Sequence, residues 1–147
     1  MTVFSWELSD AWSHDGKHLP GLLERARTRM SAVYADSAYL SRKNVAEISY
    51  TGAVPFIRPK KTSTGKPTRG TDSEGMQAFQ LMIDAFNDDK KGWMKRYNRR
   101  NSVESVFGAI KRRFGGAVGA AKPHTRRVEA CLKVLVWNLT RLPLARF

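Results

Sequence analysis

Acidic residues are scarce in this chain: its 147 residues carry 13 Asp and Glu against 26 Lys and Arg, a net charge of +13. Cysteine is scarcer still, with Cys131 alone, which excludes an internal disulfide and fits a reducing, cytoplasmic setting. Nowhere does an apolar run approach the roughly 20 residues that span a bilayer, so a transmembrane helix is excluded. The opening residues MTVFSWELSD have no basic stretch followed by an apolar one, and no secretory signal is expected. Cys pairs are also missing, and the two His four residues apart, His14 and His18, fall in a stretch read as loop rather than helix. His14, Asp15 and His18 share one polar loop with no fourth ligand, which reads as loop polarity rather than a metal site. Neither an internal repeat nor a heptad array is present.

What is present is globular. A hydrophobic content of 41% with 10% aromatics, over this length, suits one domain with its own core. The charge is unevenly placed: residues 1–40 hold four Lys and Arg against five acids, leaving 22 against 8 for the remainder. Two basic patches dominate. Arg58, Lys60, Lys61, Lys66 and Arg69 have no acid among them, and nine Lys and Arg fall between Lys90 and Arg113. Such charge is where a polyanion would lie. An interfacial membrane helix would pair it with an uninterrupted apolar stripe, so nucleic acid is the better partner and no membrane is expected.

Taken in order, Thr2 to Leu8 alternates polar and apolar residues and reads as a strand. Pro20 suits the first turn of a helix reaching about Arg29. Met30 to Tyr34 has the length of a buried strand and stops at Asp36, beyond which a helix from about Leu40 to Tyr50 is predicted. Asp36, Ser37 or Ser41 could cap that helix. Position alone leaves capping and chemistry open for Asp36, because ligands bind outside the carboxyl ends of strands in open α/β sheets. Ala53 to Ile57 reads as another strand, with Pro55 marking an edge or irregular position. Residues 58–73 form a basic, flexible loop, read either as a segment that orders on nucleic acid or as a plain linker. Asp72 or Ser73 then caps a helix from about Glu74 to Asn87. The sequence DDKKGW reads as a turn, and GGAVGAAKPH as a small-residue hinge. A last helix, Thr125 to Leu142, carries a stripe of Val128, Cys131, Leu132, Leu135, Leu139 and Leu142, with Val134 and Trp137 opposite; all are read as core.

The stretch from Tyr97 to Phe114, YNRRNSVESVFGAIKRRF, organises the rest. As a single helix it would place Tyr97, Arg100, Glu104 and Lys111 within about 60° of one another, one carboxylate among cations. Beside them Val103, Val106, Phe107, Ile110 and Phe114 form an apolar stripe. Gly108 continues the polar line and would allow a phosphodiester backbone or a strand to come close. A surface helix stabilised by spaced ion pairs has the same composition.

The spacing Tyr-x2-Arg-x3-Glu-x6-Lys resembles the signature of prokaryotic insertion-sequence transposases of the DDE type at all four positions. YADSAYLS, Tyr34 to Ser41, is similar to the segment bearing the second aspartate of the same group. The resemblance covers about Phe4 to Leu142. It implies an α/β, ribonuclease H-like fold, with a short central sheet flanked by helices, and one catalytic domain over residues 1–147. It further implies Asp36 and Glu104 as catalytic, metal-binding carboxylates, and two Mg²⁺ (or Mn²⁺) ions for strand cleavage and transfer. Tyr97, Arg100, Lys111, Arg112, Arg113, Lys60 and Lys61 are then expected to contact DNA, both transposon ends and target. A homodimer and a nucleoid location are compatible with this. The first aspartate of the triad belongs on a strand upstream of Thr2, so the chain is expected to be the later part of such a domain, with the first strands missing; Asp10 and Asp15 fall too late to replace it. Two other classes share the charge: a transposase remnant that binds DNA without chemistry, and a basic RNA-binding protein.

Overall fold

A computed structural model describes residues 2–8, 13–26, 28–64 and 73–141. The expectations for Asp10, Asp72, Leu142 and the loop stretch 65–72 lie outside the described residues. Two compact units emerge, Ser9–Arg100 and a second made of Met1–Leu8 with Asn101–Phe147; each is taken by itself.

The first unit is built on two parallel strands, β1 (Ala32–Ala35) and β2 (Val54–Ile57), paired with Ala32 opposite Val54 and Ala35 opposite Ile57. Strands this short are held by what covers their faces, and the alternation of side chains supplies two faces. Val33, Ala35 and Ile57 point into a core with Leu19 of α1 (Leu19–Ala26), Val45 and Ile48 of α2 (Arg42–Tyr50), and Phe79, Met82 and Ile83 of α3 (Ser73–Asp88). Tyr34 and Phe56 point the other way, onto Trp93 and Tyr97 of α4 (Lys90–Tyr97). The sheet is thus covered by helices on both sides, an α/β arrangement. Pro55 has an edge position. Val54 donates its N–H toward β1, to the Ser31 carbonyl at 3.0 Å, so the neighbouring residue Pro55 faces the other edge, where its missing N–H leaves no donor for another strand.

Local chemistry sets the helix starts. Ser41 caps α2 by accepting from the Asn44 N–H at 3.0 Å. The buried Asn44 side chain in turn donates to the carbonyls of Gly16 and Tyr39, each at 2.9 Å, tying the loop before α1 to the loop before α2. DDKKGW is not a turn but the start of α4: the Asp89 carboxylate accepts from the Gly92 N–H at 2.9 Å and caps it. Gly92 fits because a Cβ there would collide with that carboxylate.

The second unit packs α5 (Asn101–Phe114) against α6 (Pro123–Leu139) through Val106, Ile110 and Trp137. Pro123 occupies the first turn of α6, where its missing N–H costs nothing. Gly115, at φ 84°, ends α5 in the left-handed conformation that favours glycine. Between them, residues 115–122 are fastened by Glu129, which accepts from the N–H of Gly119 (3.3 Å) and Ala120 (3.0 Å) and pairs with Lys133 at 2.9 Å.

Two expectations change here. Residues 2–8 form no strand: the Asn138 carboxamide takes the place of a neighbouring strand, accepting from the Val3 N–H at 2.8 Å and donating to the Val3 carbonyl at 2.7 Å. The α6 stripe is not core. Val128, Leu132, Leu135 and Leu139 are half exposed, while Trp137 on the other side is buried.

Ile48 is fully enclosed and Leu81 is 68% exposed on the neighbouring helix. Ile48→Ala should therefore cost about 2–5 kcal/mol, and Leu81→Ala within about 0.5 kcal/mol of zero, read from urea midpoints at unchanged slope. Equal losses at the two sites would contradict the core assignment.

Candidate functional site

The parallel register brings two chain positions to one edge. Asp36 follows β1 directly and Arg58 follows β2 directly, so both emerge at the carboxyl end of the sheet. A third element reaches the same edge. Tyr97 is the last residue of α4, and Asn98–Arg100 continue as a single 3₁₀ turn. The Arg100 guanidinium meets the Asp36 carboxylate at 3.3 Å.

An aromatic column fixes Tyr97. Tyr34 stacks on Phe56 (centroids 5.0 Å apart), Phe56 lies 5.5 Å from Trp93, and Trp93 stacks on Tyr97 at 5.4 Å. Phe86 closes on Trp93 edge-on at 5.1 Å. Such ring pairs hold orientation as well as area. The Arg100 guanidinium lies 5.8 Å from the Tyr97 ring centre, near enough for a cation–π attraction. Burial pushes the Tyr97 phenol above its ordinary value; Arg100 and Arg58 pull it down and Asp36 pushes it up, so all four groups share one field.

Asp36 itself caps the 3₁₀ turn Ser37–Tyr39. Its Oδ1 accepts from the Ser37 hydroxyl at 3.0 Å and the Ala38 N–H at 3.3 Å. The Ser37 hydrogen bond is the main reason its pKa lies below the ordinary aspartate range; burial opposes it, and the Ala38 N–H and Arg100 reinforce it. Capping and a position at the carboxyl end of the sheet therefore coexist in one carboxylate. It is ionised, its side chain 48% exposed, at the end of a parallel strand.

The signature residues do not lie on one helix. Tyr97 ends α4, Arg100 closes the 3₁₀ turn, and Glu104 and Lys111 belong to α5. The line breaks because Tyr97 is anchored in the aromatic column while Arg100 turns to Asp36; a continuous helix would hold both to one axis. Tyr97 and Arg100 thus fall in the unit containing Asp36, and Glu104, Lys111, Arg112 and Arg113 in the other. Glu104 stands exposed in the first turn of α5, where the helix dipole favours a carboxylate, and the three cations stand exposed in the last. Gly108 is not demanded by packing, since a Cβ there would meet only the Arg112 guanidinium at an ordinary 3.5 Å. Lys60 and Lys61 are exposed in a turn closed by Ser63, whose hydroxyl accepts from the Lys60 N–H at 3.0 Å.

Among the described residues, no group of three or more His, Cys, Asp or Glu is arranged to hold a metal ion, His14, Asp15 and His18 included. At this strand edge Asp36 has the character a hard divalent cation selects, an oxygen donor facing solvent. It suits one ligand position. Arg58 is the site residue that sequence reasoning placed only in a general basic patch; its signal was its place immediately after a strand parallel to the one ending at Asp36.

With this geometry in view, the family comparison is direct: residues 2–139 match the family described as Transposase DDE domain, and the chain belongs to it. That membership ties the chain to DNA transposition. No solved structure matches the chain. Among the described residues no helix is long and apolar enough to cross a membrane.

Asp36 gives the site a pH signature. Its lowered folded pKa means that its contribution to stability is complete above the unfolded value of about 3.9 and is lost as pH falls through the folded value. Wild type should thus lead Asp36→Asn in urea midpoint at pH 7, by a modest margin because the group is half exposed. The lead should shrink below about pH 4. A lead that is the same at pH 3 and pH 7 would show that the charge contributes nothing.

Proposed function

We propose that this chain is the part of a ribonuclease H-like transposase domain that carries two of its catalytic carboxylates, Asp36 and Glu104, and that it grips transposon-end DNA. Both compact units belong to that one domain in this reading. The observation that carries it is the convergence of Asp36, Arg58, Arg100 and Tyr97 at the carboxyl end of two parallel strands, where α/β sheets bind ligands. When bound, Mg²⁺ or Mn²⁺ supplies activation of water or a 3′-hydroxyl and stabilisation of the leaving oxygen in an in-line displacement.

The chain's own residues do the rest. Ser37 and the Ala38 N–H keep Asp36 ionised and fix its rotamer. Arg100 neutralises it and presents a planar guanidinium for a phosphate oxygen as DNA arrives. Arg58 adds a second cation at the same edge. Tyr97, locked by Trp93, forms a rigid wall. Lys111, Arg112 and Arg113 flank the phosphates beside Glu104, and Lys60 and Lys61 track the backbone further out. A second copy is the natural partner for a reaction on two transposon ends, and a protein acting on chromosomal DNA works at the nucleoid. The same basic surface also suits a second reading, DNA binding without chemistry.

Two measurements decide. Mn²⁺ added to the isotope-labelled protein with DNA should broaden the amide signals of residues 36–38, Mg²⁺ should reverse the effect, and Asp36→Asn should abolish it. No broadening at millimolar Mn²⁺ leaves the binding-only reading. DNA affinity should fall with salt at a log-log slope of roughly −5 if about six phosphates are neutralised, and Arg100→Ala should make the slope shallower by about 1. A slope near zero would remove DNA as the partner of the basic surface.

A further inference from the structure

A cleft of about 750 Å³ lies within the Ser9–Arg100 unit, between α3, α4 and the edge of β2 that no other described strand occupies. Its floor is apolar and closed: Phe56, Met82 and Trp93 line it, each no more than 7% exposed. Trp93 is held there by Phe56, Phe86 and Tyr97, so the floor exists before any ligand arrives. The walls are apolar but wet, with Val54 of β2 54% and Leu81 of α3 68% exposed. A preformed apolar floor and a volume inside the range of roughly 300–1,000 Å³ are the marks of a site for an organic ligand.

The length of the cleft follows α3. Lining residues recur at helical spacing from Glu74, in the first turn, to Ala85, and Asp89 lines the cleft just past the helix end. Glu74 and Asp89 are therefore about 22 Å apart at the helical rise per residue. Spread over that length, the volume leaves a cross-section of roughly 35 Å², too narrow for a helix about 10 Å across. A rod-like molecule fits.

The polar groups select its charge. Val54 turns toward β1, so the carbonyl of its neighbour Pro55 faces the cleft as an acceptor with no N–H beside it. Two of the three charged lining residues are acids, Glu74 and Asp89 against Arg96, in a chain whose Lys and Arg outnumber its acids 26 to 13. The cleft thus reverses the charge balance of the protein around it, which turns away a polyanion and favours a cation. Asp89 caps α4 through the Gly92 N–H, and a carboxylate accepts more than that one bond.

We propose that this cleft binds an elongated organic dication, its apolar body seated on Phe56 and Trp93 and its ammonium or amidinium ends directed to Glu74 and Asp89. The site is separate from the basic surface and does not depend on the chemistry at Asp36.

Pentamidine, two benzamidinium groups on a flexible tether, is a probe of this shape. Calorimetric titration of the whole chain without DNA should show one site per chain with a Kd of about 10–100 μM, and the dicarboxylate of the same skeleton should bind at least about tenfold more weakly. Glu74→Gln and Leu81→Arg should each weaken binding about tenfold. Arg96→Gln should tighten it, and Asp84→Asn, an exposed acid of α3 outside the cleft, should leave it unchanged. Amide shifts in the labelled protein should fall on residues 53–56 and 77–85 and on the Trp93 indole. If Leu81→Arg fails to fold, the matched pair Glu74→Gln and Asp84→Asn still decides. No saturable binding at about 1 mM pentamidine, equal affinity for the dicarboxylate, or equal losses from Glu74→Gln and Asp84→Asn would overturn the site.

Discussion

The parallel pairing of β1 with β2 is the constraint on which the Ser9–Arg100 unit depends. Four residues per strand supply few ladder hydrogen bonds, so the pairing survives because both faces are covered, Val33, Ala35 and Ile57 by α1 to α3 and Tyr34 and Phe56 by α4. An antiparallel pair could leave one face wet; a parallel pair joined through a helix cannot. The same geometry decides where chemistry can sit. Parallel strands end together, so Asp36 and Arg58 reach one edge without any long-range contact to bring them there.

At that edge the Asp36–Arg100 pair positions more than it stabilises. Arg100 is 23% and Asp36 48% exposed in their side chains, and an ion pair so wet contributes at most about 1 kcal/mol. What the pair does is hold two opposite charges, an anionic oxygen donor and a planar guanidinium, 3.3 Å apart. Ser37 and the Ala38 N–H keep the carboxylate in place even when Arg100 is drawn to another anion. The capping by Asp36 is therefore compatible with the ligand role proposed for it.

The strand ending at Asp36, the edge strand with Pro55, the long α3 and the glycine stop after α5 were all legible, because each rests on a local signal: a short apolar run, a missing donor, a 3.6-residue period, a left-handed residue. Misreadings share a different cause. KKGW looked like a turn because Gly92 and two lysines outweighed Trp93, whereas the deciding fact was Asp89 capping the helix. Residues 2–8 have the alternation of a strand, but their backbone partner is a single carboxamide 135 residues away, which no local pattern records. The α6 stripe had the period of a core helix, and period cannot distinguish a face buried in its own chain from one left open.

The break at Asn98–Arg100 shows why a spacing motif and a helix need not coincide. Charge periodicity runs through the break unchanged, since a 3₁₀ turn of three residues disturbs sequence spacing not at all. It interrupts the α-helical pattern instead. Tyr97 stays with the aromatic column because leaving it would strip a buried ring of its stacking on Trp93, and Arg100 is turned to a strand end on which no continuation of α4 would have aimed it. From Asn101 a new helix begins, with Glu104 at its dipole-favoured start and Lys111, Arg112 and Arg113 at its dipole-favoured end. Each half of the signature thus has a local physical reason for its conformation: packing for the first, helix polarity for the second. Spacing in the sequence preserves the two halves together, and the three-residue turn is what lets each obey its own constraint.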